Sequence, residues 1–187
     1  MKSWKICWTK FWTCWMVDMT AEYKLIPARE RDFDRAMDIL RSGRDFQRQQ
    51  GFLQWEDGFP DPDLIHRDIQ SGHGYVVTSG GAIAAYLYLG FDGDPAYPAI
   101  RGAWQYDEKY AVIHRIAIAP EFRGLGLASV TFRLVEEFCR DRGVTLIRID
   151  THEDNKRMQH ILAKNGFAYC GLVIQGGSDR LAYEKKT

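Results

Sequence analysis

The apolar residues of this chain follow two periods, one of strands and one of helices, and the changes between them mark its elements. Tyr23–Pro27 reads as a short strand. In Asp32–Arg41 the apolar Phe33, Ala36, Met37 and Leu40 fall at helical spacing. Gly51–Pro62 is aromatic and turn-rich, carrying Phe52, Trp55, Gly58 and Phe59. Asp63–Gln70 reads as a second short helix entered just after Pro62. Tyr75–Thr78 and Ala82–Leu89 flank Ser79-Gly80-Gly81 and predict a hairpin. Phe91–Lys109 is a long connection, and its Pro95, Tyr97, Pro98, Trp104 and Tyr106 argue for order rather than disorder. The near-continuous apolar run Tyr110–Ile118 is the central strand. Gly126–Arg142 is a helix with Val130, Leu134 and Phe138 on one stripe, stopped by Gly143. Leu146–Thr151 is a strand, Asn155–Lys164 a helix ended by Asn165-Gly166, and Phe167–Val173 and Leu181–Glu184 are strands on either side of Gly176-Gly177. The order predicts a mixed α/β domain around one central sheet.

Composition narrows the picture. The 187 residues suffice for one domain with an ordinary core. A formal net charge of zero gives no support for phosphate-driven nucleic-acid binding. Cys7, Cys14, Cys139 and Cys170 form no CxxC pair and have no histidine at zinc-ligand spacing, so no metal site is expected. They read as buried small hydrophobes in a reducing cytoplasm. Residues 1–22 stand apart from the domain at 23–187. Trp4, Trp8, Phe11, Trp12 and Trp15 share a helical stripe, with Lys2, Lys5 and Lys10 among them. Either this extension meets a lipid interface or a partner, or it has no role in the fold. Its apolar run is too short to span a bilayer, and it lacks the hydrophobic region and cleavage site of a secretory signal.

One stretch carries chemistry. Ile113–Ala119 runs as a strand through Pro120-Glu121-Phe122 into Arg123-Gly124-Leu125-Gly126-Leu127-Ala128, the entry of a helix. Glycines at that place let an anion approach the backbone closely, and the bare N–H groups of Leu125 to Ala128 would be its donors. Arg123 could add a charge-assisted bond to a phosphate. The alternative is a plain strand-to-helix turn with glycines for packing.

Arg123–Ala128 resembles the acetyl-CoA loop of the GNAT superfamily of N-acetyltransferases, Arg/Gln-x-x-Gly-x-Gly/Ala. Asp150–Asn155 leading through Met158 to Asn165-Gly166-Phe167 resembles that family's second half. The resemblance covers about Tyr23–Lys185. It implies a central mixed sheet of about six to seven strands flanked by about four helices. It also implies acetyl-CoA as co-substrate and acetyl transfer to a small-molecule or peptide amine. Ile116, Ala117 and Ile118 match the strand positions that pair with the pantetheine arm, where a bulge would help splay the strand. Asn155 matches a cofactor-side asparagine and is equally a helix N-cap.

Acetylating an amine requires it to lose a proton, and His114 is the candidate base. Histidine titrates in the useful range, and His114 has the strand parity of Ile116 and Ile118. Serotonin N-acetyltransferases resemble this stretch and carry a histidine at the matching position; their second histidine corresponds to Val112. A hydrogen-bonded structural role for His114 stays open, as does a proton-relay or turn-capping role for His152. The family's usual acid, a tyrosine four residues before Gly-Phe, is Leu162 here, which leaves Tyr169, Tyr106 or solvent to protonate the thiolate. Trp55, Asp57, Phe59, Tyr97 and Trp104 are the candidate acceptor-binding residues, as aromatic walls with a carboxylate that suit an amine; the other reading is a satellite hydrophobic cluster. Competing readings of the whole chain are a non-catalytic acyl-CoA-binding module, favoured by the missing tyrosine, and a toxin-type enzyme acting on charged tRNA, disfavoured by the neutral charge. A homodimer is left open.

Overall fold

The computed structural model describes residues 22–52, 54, 55 and 58–187. Among them an eight-stranded sheet runs in the order β1-β2-β3-β5-β6-β8-β7-β4. The strands are β1 (Tyr23–Pro27), β2 (Gly74–Ser79), β3 (Ala82–Gly90), β4 (Arg101–Gly102), β5 (Tyr110–Ile118), β6 (Leu146–Thr151), β7 (Ala168–Gln175) and β8 (Ser178–Lys186). Four helices cover it: α1 (Phe33–Gln49), α2 (Pro62–Gln70), α3 (Leu127–Arg140) and α4 (Lys156–Lys164). Only β5 and β6 pair in parallel; every other neighbouring pair is antiparallel. The eighth strand, one more than the sequence predicts, is the two-residue β4, too short to leave a periodic signal.

The helices begin where local chemistry satisfies their first amides. Asp61 caps α2 by accepting from the Asp63 amide at 3.0 Å, with Pro62 at the first helical position. Asn155 caps α4 by accepting from the Met158 amide at 3.1 Å. α1 has 17 residues and extends eight beyond the predicted end at Arg41, running on through Ser42-Gly43-Arg44 to Gln49.

Alternation along β2 and β3 fixes the layers. The Tyr86 hydroxyl, beside Val76, donates to Asp68 of α2, whereas neighbouring Tyr75 meets Phe138 of α3 edge-on at 5.1 Å. α2 and α3 therefore lie on opposite faces, and α1 packs on the α2 side over β3 and β5. The main core is sealed by Ile39, Leu40, Leu87, Ile113, Phe132 and Leu162. A smaller cluster of Tyr97, Val112, Val173 and Ala182 lies beneath the connection between β3 and β5. Arg148 clamps that connection: its buried guanidinium lies 4.1 Å from the Trp104 ring and 4.0 Å from Tyr110, pairs with Glu184 at 3.3 Å, and donates to the Tyr106 carbonyl at 2.7 Å. Burial pushes the Cys139 thiol up to about 12 and the Cys170 thiol up to about 11, so both are protonated space-fillers. Cys7, Cys14 and the tryptophan-rich start lie outside the described residues. Among the described residues no helix is long and apolar enough to cross a membrane.

Candidate active site

The site begins where two parallel strands separate. β5 and β6 pair from Tyr110/Leu146 to Ile113/Ile149 and no further, while β6 stays bonded to β8 through Thr151. The backbone edge from His114 to Ile118 thus faces a gap. A bulge in β5 accompanies the parting: Tyr88 sits opposite His114 but Tyr86 opposite Ala117, so β5 carries one extra residue. Arg115 absorbs it with φ +54°, the one non-glycine residue with positive φ among the described residues. The bulge also corrects the predicted parity. Tyr86 and Tyr88 share a face of β3, so His114 shares its face with Ala117 rather than with Ile118.

Two cavities meet at this gap. A slot of about 410 Å³ lies between α1, the end of β5 and α3. It is lined by Ile116, Ala117, Ile118, Arg123, Gly124, Gly126, Leu127, Ala128 and Asn155, which brings together the predicted cofactor residues except the half-exposed Leu125. Gly124 and Gly126 have φ +80° and +78°, a region that favours glycine, and a Cβ on either would meet nothing within 4 Å. Gly126 caps α3 without a side-chain bond, and the amides of Leu125 to Ala128 find no acceptor among the described residues. Arg123 is held, not free: Nε donates to the Ile118 carbonyl at 3.1 Å and Nη2 to Ser42 Oγ at 2.9 Å. Burial first, then the Arg157 charge, depresses its pKa, an environment that an incoming anion would relieve.

The second cavity, about 1000 Å³, opens under α2 and the β3–β5 connection. Trp55, Ile116, Asn155 and Met158 line both cavities and so form their junction. Here His114 Nε2 lies 2.9 Å from Asp94 Oδ2, and Nδ1 lies 3.7 Å from Asp150 Oδ1. Burial pushes Asp94 up, but bonds from His114, the Ala96 amide and Gln175 outweigh it and hold its pKa below the usual carboxylate range. An ionised Asp94 only accepts, so Nε2 carries the proton it receives, and a neutral imidazole keeps its lone pair on Nδ1. Burial raises the pKa of Asp150, against the His114 charge and the Tyr97 hydroxyl, which donates to Oδ1 at 2.9 Å. The result is a notch on the cavity wall in which one nitrogen lone pair and one carboxyl oxygen stand 3.7 Å apart.

Several predicted residues lie elsewhere. Tyr97 is fully buried in the smaller core cluster and acts on the cavity only through Asp150. Trp104 packs beside it, its Nε1 donating to the Tyr97 carbonyl at 3.0 Å. Both are core aromatics rather than cavity walls, because the connection folds back onto β7 through β4. Tyr169 is 55% exposed and meets Tyr183 edge-on; it and Tyr106 line neither cavity. His152 Nδ1 accepts from the Asp154 amide at 3.2 Å, capping its turn. Leu162 is fully buried, so that face of α4 supplies packing and no acid. Trp55 and Phe59 line the second cavity, their ring centroids 5.4 Å apart, while Asp57 lies outside the described residues. Sequence reasoning missed Asp68, Asp94 and Arg115, and gave Asp150 no role. Asp150 left a faint signal, an acid near the end of an otherwise apolar strand. Asp94, in Gly93-Asp94-Pro95, looks like any turn residue.

Gly43 has a specific function in this arrangement. A Cβ there would come 2.9 Å from the far edge of the Trp55 ring. Gly43→Ala should raise helix stability by about 0.5–1 kcal/mol while displacing Trp55 from the junction. The expected outcome is an unchanged or higher melting temperature with an acceptor KM raised several-fold, read by steady-state kinetics beside thermal unfolding.

Known proteins share this fold. The sequence model of the acetyltransferase (GNAT) family matches residues 40–167. A crystal structure of a GNAT-family acetyltransferase from Streptococcus agalactiae 2603 superposes with TM-score 0.82 at 36% identity, covering 88% of this chain and 95% of that one. Streptothricin acetyltransferase of Streptomyces lavendulae is 33% identical over 89 residues; that match covers 46% of each chain, so it spans about half of that relative. An uncharacterized N-acetyltransferase of Bacillus subtilis (strain 168) is 25% identical over 158 residues, covering 80% of this chain and 84% of the relative.

Proposed function

We propose, for a chain that belongs to the acetyltransferase (GNAT) family, that it transfers the acetyl group of acetyl-CoA to an amine, with His114 as the base. The observation that carries this reading is the junction. The glycine-cornered slot and the acceptor-side cavity meet at Ile116, Asn155 and Met158, where β5 leaves β6, and His114 stands on the acceptor side. The slot fits the co-substrate on its own chemistry. Its bare amides face a corner that a diphosphate can reach, and the open edge of β5 offers backbone bonds to a pantetheine amide.

Acetyl-CoA supplies the activated acyl group. An ammonium enters the notch between His114 Nδ1 and Asp150, attracted by the carboxyl group. Nδ1 takes its proton, and Asp94 stabilises the imidazolium that forms. The freed lone pair forms the C–N bond as the C–S bond breaks; the acylated nitrogen then releases its second proton to solvent, and solvent protonates the thiolate. No tyrosine of this chain lines the slot, and a thiolate leaves readily without one.

The test is free-thiol release from acetyl-CoA across a panel of small amines, peptides and streptothricin, the compound for which the Streptomyces relative is named. Release with one or more acceptors, and product mass raised by one acetyl group, is the expected result. Tight acetyl-CoA binding with no release across the panel would instead favour a binding module.

A further inference from the structure

The acceptor-side cavity has a second charged end, and its chemistry narrows the substrate class. Arg115, forced into the left-handed region by the bulge, turns its guanidinium onto α2. Nε and Nη2 donate to the two oxygens of Asp68 at 2.8 and 2.7 Å, and the Tyr86 hydroxyl adds a third bond to that carboxylate at 3.1 Å. The guanidinium also lies 4.5 Å over the Tyr88 ring. Asp68 is 5% exposed and three hydrogen bonds already engage its carboxylate, so an acceptor entering here meets the guanidinium before the acid. Arg115 lines the cavity, and its Nη1 has no hydrogen-bond partner among the described residues. A rigid fork with two arms fixed and one donor arm left over is suited to a planar anion. The strained φ would be abandoned cheaply if packing alone were at stake, but here Asp68, Tyr86 and Tyr88 hold it.

We propose that Arg115 Nη1 is the anchor for a carboxylate carried by the acceptor, and that the acceptor is therefore an amino acid or a similar amino-carboxylate. This rests on the acetyltransferase reading above. The amine end lies in the His114–Asp150 notch and the acid end on Arg115, with the Tyr88 ring, 5.8 Å from the His114 ring, as the wall between them. The bulge thus serves both ends, parting β5 from β6 and aiming the neighbouring side chain at the acceptor.

The experiment compares amino acids with their methyl esters and with the amines left by decarboxylation. Each is measured by thiol release and, independently of turnover, by equilibrium binding through tryptophan fluorescence. The acids should exceed both neutralised forms by about 10- to 100-fold in kcat/KM, and likewise in affinity. Arg115→Lys should narrow that gap, since an ammonium keeps the charge but loses the fork. Arg115→Gln alone strands Asp68 and can fail to fold, so it is paired with Asp68→Asn; the double variant should abolish the preference. Wild-type protein that binds and acetylates esters or decarboxylated amines within about threefold of the acids overturns the proposal. Absence of thiol release with every compound would count against the acetyltransferase reading, while the binding ratio would still decide the anion anchor.

Discussion

His114→Ala should lose about 10²- to 10⁴-fold in kcat while binding acetyl-CoA as the parent does. The imidazole lies on the acceptor side of the junction and touches none of the slot's glycine corner, so cofactor affinity has no reason to change. A purely structural histidine predicts otherwise. It bridges Asp94 and Asp150, so its removal would loosen the β3–β5 connection and appear mainly as lost stability. Thermal unfolding beside single-turnover acetyl transfer separates the two. Asp94→Asn tests the orientation argument. It keeps the side chain's shape but removes the obligate acceptor that holds the proton on Nε2. Its loss should be smaller than that of His114→Ala, and the double variant should be no worse than His114→Ala alone, because the two act as one unit. Retention of kcat in His114→Ala would assign proton removal to another group.

How much of this could be read from the chain depended on the kind of signal. β5, β6 and the start of α3 were legible because burial on both faces writes a continuous apolar run, and because a strand-to-helix turn at positive φ demands Gly124 and Gly126. The far half of α1 was not. Ser42-Gly43-Arg44 looks like a break, yet the helix runs through it, and the glycine there leaves room for the Trp55 ring. The bulge was equally hidden. Residue type announces a left-handed position when it is glycine or asparagine, and here it is Arg115, held there by contacts with Asp68 that lies 47 residues earlier. That single insertion reversed the face on which His114 sits relative to Ile118. Tyr97 and Trp104 resembled cavity walls for a related reason: an aromatic in a long connection carries no mark of whether it faces a cavity or the sheet. The Asp94–His114–Asp150 constellation joins a turn and two neighbouring strands, and separations between such pieces are set by the sheet and not by local pattern.

Gly126→Glu should reduce acetyl-CoA affinity by at least about 100-fold without unfolding the protein. A Cβ at this position meets nothing within 4 Å, so bulk is tolerated, and the cost to the fold is the strain of φ +78° in a residue other than glycine, about 1–2 kcal/mol. The charge does the rest. A carboxylate about 4 Å from a phosphate at a partly solvated helix terminus meets repulsion of about 4 kcal/mol per charge pair before screening, and each 1.4 kcal/mol is tenfold in binding. It also neutralises the partial positive charge of the α3 N-terminus, which the bare amides of Leu125 to Ala128 would otherwise direct at the ligand. Gly126→Gln isolates that effect, since it carries the same strain and nearly the same volume without the charge. It should weaken binding by no more than about tenfold, and the gap between the two variants should shrink as salt is raised. Titration calorimetry with acetyl-CoA at two ionic strengths reads all of this directly. Equal affinities for parent, Gln and Glu proteins would mean that the diphosphate does not lie at the Gly126 corner, and the direction of the whole slot would have to be reassigned.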